Sequence, residues 1–393
     1  MNKSLRNYII FAIGLLAVFL VDGWMNGTAE DCIKMVKGLV SMPSSGRILL
    51  ESQSEDLISL ITDLATGETK ELPGLMPYSI VGPYKGQIVY FDYDIGSWVL
   101  VSVIDGSRKN LIHENPVPGE EETSFELTPV ALQDGNKLLL SKPDGSLWLM
   151  DLASGVLKIF PFDDQQGILN LGSSLNWGRY TAARMVPNQD MKFVVYPANG
   201  EPGMLLNLRD IDANKDITGI HWGDALHAPQ WSSDGAGFVT SAPPFVFYKD
   251  TLYTNFYDKL EYLGGNDLVF VGVDGEVRRL TEFSSHNVAR QTAYSWSSDS
   301  SKLAFILTMT NEKGSEEKSY LSTLDLETNK VQLYCYPEDL LEMYNSLVWS
   351  PDGKFIAFAL STQSSKIPST YFLDLATGSI SEAFFGLQAV AWE

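Results

Sequence analysis

Few residues in this chain combine side chains and spacing suited to chemistry, and histidine is the scarcest of them. Only four histidines occur, and His221 and His227 flank Asp224 in one short segment. Two imidazoles and a carboxylate can bind a metal ion, but a site also needs a further ligand and supporting hydrogen bonds. The spacing of the two histidines matches no helical or hairpin ligand pattern. It therefore favours surface imidazoles in a loop over a metal centre.

A second segment alternates oxygen-bearing side chains, as calcium-binding loops do. Its four metal-ligand candidates are Asp210, Asp212, Asn214 and Asp216. The glycine expected after the third ligand position is absent, and no bidentate glutamate follows at the right distance. A long polar hairpin between two strands explains the same residues. Calcium is therefore the one cofactor that the sequence suggests. The alternative interpretation is a polar hairpin that binds no metal.

Motifs of the common enzyme classes are absent. No G-x-S-x-G elbow, H-E-x-x-H pair, Walker loop or G-x-G-x-x-G fingerprint occurs. The recurring aspartates fall in predicted turns, where a carboxylate accepts hydrogen bonds from backbone N–H groups. We expect these residues to shape turns, and we assign no catalytic residue among them: Asp63, Asp151, Asp234, Asp299, Asp325, Asp352 and Asp374.

Charge and composition narrow the classes of function. Lys and Arg total 28 against 49 Asp and Glu, a net charge of −21 over 393 residues. Nucleic acid needs a basic footprint, and electrostatic docking on anionic lipid needs one too, so both are excluded as the main partner. The 45% of hydrophobic residues excludes a disordered chain. Length alone allows two or three domains or one large repeat fold.

The elements that position these residues follow from an internal repeat. A Trp-Ser-x-Asp segment recurs at 229–235, 294–300 and 347–353, each time followed by an apolar run. A tight turn between two β-prone runs predicts a hairpin. Weaker copies of this turn lie upstream at 45–46, 85–86, 134–135 and 189–190. A second polar turn, such as Asp374-Leu-Ala-Thr-Gly378, follows each copy, so each repeat holds two hairpins.

Four strands in one sheet cannot bury both faces, and radial stacking of several sheets solves that problem. The Trp-Ser-Pro-Asp-Gly and Asp-Leu-Ala-Thr-Gly pair resembles the TolB-type, WD40-like (PD40) propeller repeat, strongly over 228–393 and weakly over 46–227. We predict an all-β fold, a β-propeller of seven four-stranded blades over 46–393. The C-terminal strand 388–393 would pair into the first blade and remove an open edge. Alternatively, 38–42 supplies the first inner strand, and the C-terminal strand begins an eighth, partial sheet.

The N-terminus predicts export. Lys3 and Arg6 precede an apolar run over 8–21 that is short for a membrane span but fits a signal peptide. Cleavage after Ala29 would remove residues 1–29 and leave 30–45 as a lead-in. Alternatively, residues 8–21 stay as an anchor. Either way the body lies outside the cytoplasm, where Cys32 and Cys335 could form a bridge; we favour two unpaired thiols.

The four strands of each repeat are lettered A to D, with A innermost. Propellers commonly bind partners on the face formed by the loops that join strand D to the next strand A and strand B to strand C. The longest departure from the repeat is the B–C connection at 242–266, which is rich in aromatic residues. The candidate binding residues of this face are Trp177, Arg179, Trp222, His227, Tyr253, Tyr257, His286 and Arg290. We expect a non-catalytic propeller that binds a protein, peptide or glycan, as one part of an envelope assembly if the TolB resemblance holds. The alternatives are a membrane-anchored ectodomain and a propeller hydrolase or lyase.

Overall fold

The structure is a computed structural model. It describes residues 32–38, 43–52, 58–72, 81–84, 86–92, 97–111, 128–133, 137–141, 147–154, 156–159, 186–188, 192–200, 203–213, 215–221, 229–242, 266–283, 288–310, 317–337, 340–362 and 365–393.

Within these ranges every regular element is a β-strand. The first two strands, β1 (Ile33–Lys34) and β2 (Val36–Lys37), are short. The next four groups have the bounds β3 (Arg47–Ser52), β4 (Ser59–Asp63) and β5 (Thr69–Leu72); β6 (Val81–Tyr84), β7 (Gln87–Asp92), β8 (Ser97–Ser102) and β9 (Arg108–Leu111); β10 (Thr128–Gln133), β11 (Lys137–Ser141), β12 (Leu147–Asp151) and β13 (Leu157–Ile159); β14 (Val186–Pro187), β15 (Phe193–Gly200), β16 (Gly203–Asp210) and β17 (Lys215–His221).

The C-terminal half has the more regular repeats. Its strands are β18 (Gln230–Trp231), β19 (Gly237–Ala242), β20 (Asp267–Gly272) and β21 (Val277–Arg279); β22 (Val288–Trp296), β23 (Lys302–Thr310), β24 (Glu317–Asp325) and β25 (Lys330–Cys335); β26 (Leu340–Trp349), β27 (Phe355–Thr362), β28 (Ser365–Asp374) and β29 (Ser379–Phe385); and β30 (Leu387–Trp392).

The described strands form seven sheets, each built on four antiparallel strands in the order A to D. Sheet 1 has the order β30-β3-β4-β5, and sheets 2 to 7 each contain four consecutive strands beginning with β6, β10, β14, β18, β22 and β26. The inner A strands of neighbouring sheets lie in contact, as β22 does with β26 and β26 with β30. The sheets are therefore arranged around a common axis.

Apolar clusters fill the spaces between successive sheets. Leu321 of sheet 6 and Phe358 of sheet 7 share one cluster, and Val239 and Phe305 join sheets 5 and 6. The last sheet packs on the first, because Phe372 of sheet 7 lies 5.0 Å from Trp392 of sheet 1 between ring centroids. This closed radial packing confirms the predicted β-propeller class.

The C-terminal strand belongs to the first sheet. β30 runs antiparallel to β3, with Ile48 opposite Trp392 and Ser52 opposite Leu387. The backbone N–H of Glu393 also donates to the carbonyl oxygen of Arg47 at 2.9 Å. The predicted pairing of this strand is confirmed, and the eight-sheet alternative is wrong, because β30 pairs with the edge that sheet 1 would otherwise leave open.

The Trp-Ser-x-Asp motif closes its own turn and also ties neighbouring sheets together. The Ser297 hydroxyl donates to Asp299 Oδ1 at 2.7 Å and accepts the N–H of Lys302 at 2.9 Å. The indole N–H of Trp349 donates to the carbonyl oxygen of Ser295, in the preceding sheet, at 2.8 Å. The motif therefore stabilises its own hairpin turn and also forms a hydrogen bond between neighbouring sheets.

The N-terminal segment 32–38, which we call the strap, joins the outer edges of two sheets. β1 runs parallel to β25 of sheet 6, and β2 runs parallel to β29 of sheet 7. Met35 between them is buried in the cluster that sheets 6 and 7 share. Cys32 and Cys335 form a disulfide with a Cα–Cα distance of 5.6 Å, within the normal range. The expectation of unpaired thiols is wrong, because the parallel pairing brings the strap alongside the end of β25.

Candidate functional site

The two ends of the propeller differ in chemistry. The turn end carries the A–B and C–D turns of each repeat, and the loop end carries the B–C and D–A connections. At the turn end, polar groups bond to the backbone within their own turn. At the loop end, several amide and charged side chains are buried between strands.

The recurring aspartates at the turn end act as predicted. Asp63 Oδ1 accepts the N–H groups of Ala65 and Thr66 at 3.0 and 3.1 Å, and its Oδ2 accepts Arg47 Nε at 3.1 Å. Such bonds stabilise the charged form, so they lower the pKa of the carboxyl. At Asp299 the hydroxyl of Ser297 is the largest cause, and its pKa is lowered to about 2. Asp63 and Asp299 are therefore ionised acceptors within their own turns.

The calcium candidates lie in one such turn, the C–D turn of sheet 4. Asp210 Oδ1 accepts the N–H of Ala213 at 2.9 Å, in the same way as the other turn aspartates. Asp216 lies opposite Arg209 in the strand pair, and the distance from Arg209 Nη1 to Asp216 Oδ1 is 3.3 Å. Asp212 is exposed, and Asn214 lies outside the described residues. In the described ranges no group of three or more His, Cys, Asp or Glu residues is arranged to hold a metal. Calcium binding stays a prediction.

Gln291 is the centre of a buried polar network at the loop end, between sheets 5 and 6. Its side chain is fully buried near the start of the inner strand β22. Its Oε1 accepts the Ser241 hydroxyl at 3.1 Å, and its Nε2 donates to the carbonyl oxygen of Asn266 at 2.8 Å. The Tyr294 hydroxyl donates to the Gln291 carbonyl oxygen at 2.7 Å. The amide therefore joins strands β19 and β22 to the residue that precedes β20.

Two buried carboxylates at the same end each bind an arginine. Asp267 is fully buried, and its Oδ2 accepts Arg279 Nη2 at 2.6 Å and Nε at 3.1 Å. In sheet 2, Arg108 bonds to the buried Asp92 and lies over the ring of Tyr90. A buried carboxylate is tolerated when a charge-assisted pair satisfies it, as in both cases here. These residues were not predicted from the sequence. An acidic residue at either end of an apolar run could have indicated them.

Of the predicted binding residues, only Arg290 falls within the described ranges. It lies on β22 opposite Thr308, next to Gln291 and at the loop end. The other seven lie outside the described residues: Trp177, Arg179, Trp222, His227, Tyr253, Tyr257 and His286. The connection that contains Tyr253 and Tyr257 starts after Ala242 and ends before Asp267, at the loop end of sheet 5. Binding by these residues stays a prediction.

One surface cavity lies away from this end. It measures about 310 Å³ and borders the C–D turn of sheet 5, with Asp274, Glu276 and Arg278 among its lining residues. The Arg278 guanidinium lies 5.6 Å from the centre of the Phe270 ring, which also faces the cavity. Its charged groups are side chains of turn and edge residues, so it has the character of a surface groove.

The closed ring of four-stranded antiparallel sheets defines a β-propeller. No family model matches the chain, and no curated protein matches it either. Similar solved structures include TolB from Acinetobacter baumannii, at 14% identity over 87% of this chain and 81% of that one, with a TM-score of 0.44.

Two further solved structures are also similar to this chain. An oligogalacturonate lyase in complex with manganese is 13% identical, covering 89% of this chain and 86% of that one, with a TM-score of 0.49. The β-propeller domain of Cps50 (Swd1) from Myceliophteria thermophila is 12% identical, covering 89% and 95%, with a TM-score of 0.45. Across the residues that the structure describes, no helix has the length and apolar character to cross a membrane.

Proposed function

We propose that this chain is an exported, non-catalytic β-propeller that binds a protein, peptide or glycan partner through its loop end. The observation that carries the proposal is the difference between the two ends. The turn-end aspartates satisfy their own turns, whereas the loop end holds Gln291, Asp267 and Asp92 in buried networks. Buried polar networks rigidify the backbone around them, and a rigid base suits loops that recognise a partner.

The network at Gln291 supports the long B–C connection of sheet 5. Ser241 lies one residue before the end of β19, and Asn266 lies one residue before β20 begins. Both bond to Gln291, so the two ends of the connection that carries Tyr253 and Tyr257 are fixed to the inner strand of sheet 6. Tyrosine, tryptophan and arginine are the side chains that most often anchor partners. The buried network at Gln291 therefore holds both ends of the aromatic connection next to the strand position of Arg290.

Two features support an extracytoplasmic location. The basic residues and short apolar run at the N-terminus have the pattern of an export signal. The Cys32–Cys335 disulfide also suits an oxidising compartment, because cytosolic thiols are kept reduced. N-terminal sequencing of the native protein tests this location. A start at Glu30 supports export with cleavage, and retention of 8–21 supports the anchored ectodomain instead.

Site-specific photo-crosslinking in native cells tests the binding end. A photoreactive residue at position 257 or 290 should capture a partner, whereas one at position 212, exposed at the turn end, should not. Equal capture from both ends, or capture from position 212 alone, would contradict the proposal. The enzyme alternative predicts an activity that His227→Ala removes; a loop-end adduct without any such activity favours binding.

A further inference from the structure

The strap covers the outer edges of two sheets. Among the described strands, only sheets 6 and 7 have a fifth strand, and the strap supplies it in both. The N–H of Met35 donates to the carbonyl oxygen of Cys335 at 3.0 Å, and the N–H of Gly38 donates to that of Ile380 at 3.1 Å. An edge strand offers a row of backbone groups to any extended chain. Without the strap, β25 and β29 would therefore form a template for strand addition.

Between these two edges lies a slot for one apolar side chain. Met35 fills the slot and is 4% exposed, in the cluster that contains Tyr334 of β25 and Ile380 of β29. Ile33 packs on the turn before β29, since a Cβ added to Gly378 would lie 2.6 Å from Ile33 Cγ2. The seated strap therefore shows that the site has room for an extended segment with one large unbranched side chain.

Packing alone holds the strap weakly. Met35 is its single buried side chain, Val36 is 61% exposed, and Lys34 and Lys37 are also exposed. Ordering a seven-residue segment costs conformational entropy at every residue, and the burial of one methionine does not offset that cost. The covalent bond to Cys335 is therefore the main restraint on the strap.

The disulfide lies where a reductant can reach it. Cys32 and Cys335 are both partly exposed at the outer rim. A thiolate of a dithiol attacks the S–S bond, which breaks as two protein thiols form and the dithiol is oxidised to its own disulfide. The dithiol supplies both electrons and both protons, so no other co-reactant is needed. Reduction therefore removes the main restraint on the strap.

The strap also indicates the charge of a segment that fits this surface. Its exposed side chains on either side of Met35 include Lys34 and Lys37. The chain carries 49 acidic residues against 28 basic ones, and the exposed Glu382 lies two residues beyond Ile380 on β29. Complementary charge favours encounter and suppresses partners of like charge. A basic segment therefore suits these edges better than an acidic one.

We infer that the outer edges of sheets 6 and 7 form a redox-gated docking site for a partner protein, which adds an extended basic segment in place of the strap. The segment runs parallel to β25 and β29 and places one large apolar side chain in the Met35 slot. The strap blocks the site while the disulfide is intact and leaves it when a dithiol reduces the disulfide. The site lies at the outer rim and does not depend on partner binding at the loop end.

Limited tryptic digestion of the full chain, followed by mass spectrometry, tests the release of the strap. With the disulfide intact, the bonds after Lys34 and Lys37 should resist cleavage. Dithiothreitol should speed cleavage at both bonds at least about tenfold and leave the rest of the digestion pattern unchanged. Cys32→Ser/Cys335→Ser should be cleaved at the faster rate without reductant.

Fluorescence anisotropy with a labelled peptide of residues 30–38, carrying Cys32→Ser, tests the docking site. The peptide should bind the full-length Cys32→Ser/Cys335→Ser/Met35→Asp variant, whose own strap cannot refill the slot, with saturation below about 1 mM. Met35→Thr in the peptide should weaken binding at least about tenfold, whereas Val36→Thr should change it less than about threefold, because Val36 is exposed. The oxidised natural chain should not bind the peptide.

The Cys32→Ser/Cys335→Ser variant provides a second receptor, which does not depend on the aspartate substitution. It should bind the same peptide with an affinity lowered by competition from its own strap. Far-UV circular dichroism should show the same strand content in both receptors as in the oxidised chain.

Four results would overturn the inference. Unchanged resistance at Lys34 and Lys37 after reduction would show that packing alone holds the strap. Faster cleavage throughout the chain would show that reduction unfolds the propeller. Absent binding to both receptors, or equal binding of the Met35→Thr and Val36→Thr peptides, would show that no such slot is available. Dimerisation of the reduced chain in sedimentation would assign the site to the strap of a second copy. Photo-crosslinking at positions 257 and 290 reports on the loop end separately, so these results do not bear on that proposal.

Discussion

The disulfide should be a large single contributor to the stability of this propeller. Cys32 and Cys335 are separated by 303 positions in the sequence. In the chain-entropy model, closing a loop of that length removes about 19 cal/mol/K from the unfolded ensemble, or about 6 kcal/mol at 25 °C. Measured values usually fall below this figure, so we expect reduction to lower the free energy of unfolding by about 3 to 5 kcal/mol.

The shift in melting temperature follows from the size of the chain. At about 2.1 cal/mol/K per residue, the unfolding entropy of a chain of this length is about 0.8 kcal/mol/K. A loss of 3 to 5 kcal/mol therefore lowers the melting temperature by about 4 to 6 °C. Thermal unfolding should be followed by tryptophan fluorescence and far-UV circular dichroism, with and without a phosphine reductant. Both probes should move together.

Two variants separate the covalent contribution from the packing of the strap. A Cys32→Ser/Cys335→Ser double variant should melt at the temperature of the reduced protein and should not respond to reductant. Met35→Ala keeps the disulfide but removes a buried side chain, so it should be destabilised and still respond to reductant. A melting temperature that moves by less than about 1 °C on reduction would refute the reasoning, because the strap would then not restrict the unfolded chain.

Three further predictions concern the sheets themselves. Trp349→Phe keeps the ring but removes the N–H that donates to Ser295, so the urea midpoint should fall by an amount equivalent to about 1 to 2 kcal/mol. Gly46→Ala should lower the free energy of unfolding by at least about 2 kcal/mol more than Gly67→Ala does. Both glycines have positive φ, but only at Gly46 would an added Cβ lie 2.7 Å from the indole nitrogen of Trp392. The raised pKa of Glu51, about 7 against 4.5, means that the free energy of unfolding should fall by about 3 kcal/mol between pH 4.5 and 7, and Glu51→Gln should remove that dependence.

The fold could be predicted because its determinants are local and repeated. The Ser297–Asp299 turn and its counterparts use side chains two residues apart, so the pattern is visible in any one repeat. Repetition then limits the architecture to a radial stack. The inter-sheet bond from Trp349 to Ser295 was not predicted, since it joins residues 54 positions apart.

The strap could not be predicted from its own residues. β1 and β2 are two residues long, and their pairing is parallel to strands of sheets 6 and 7. Two-residue strands show no alternation of apolar and polar positions, which is the usual signal of a strand. The disulfide depends on this pairing, so its formation was equally hidden. The loop-end networks were missed for a related reason, because Gln291 finds its partners on another sheet.

The pairing of Glu51 with Gln388 in sheet 1 shows the same limit most directly. Glu51 follows an apolar run in the first repeat, where a glutamate at the end of a strand normally faces solvent. Gln388 lies in the last strand of the chain, and only closure of the ring brings it opposite Glu51. The strand that completes sheet 1 therefore also sets the surroundings of Glu51, which is buried, and no pattern within either segment could show this.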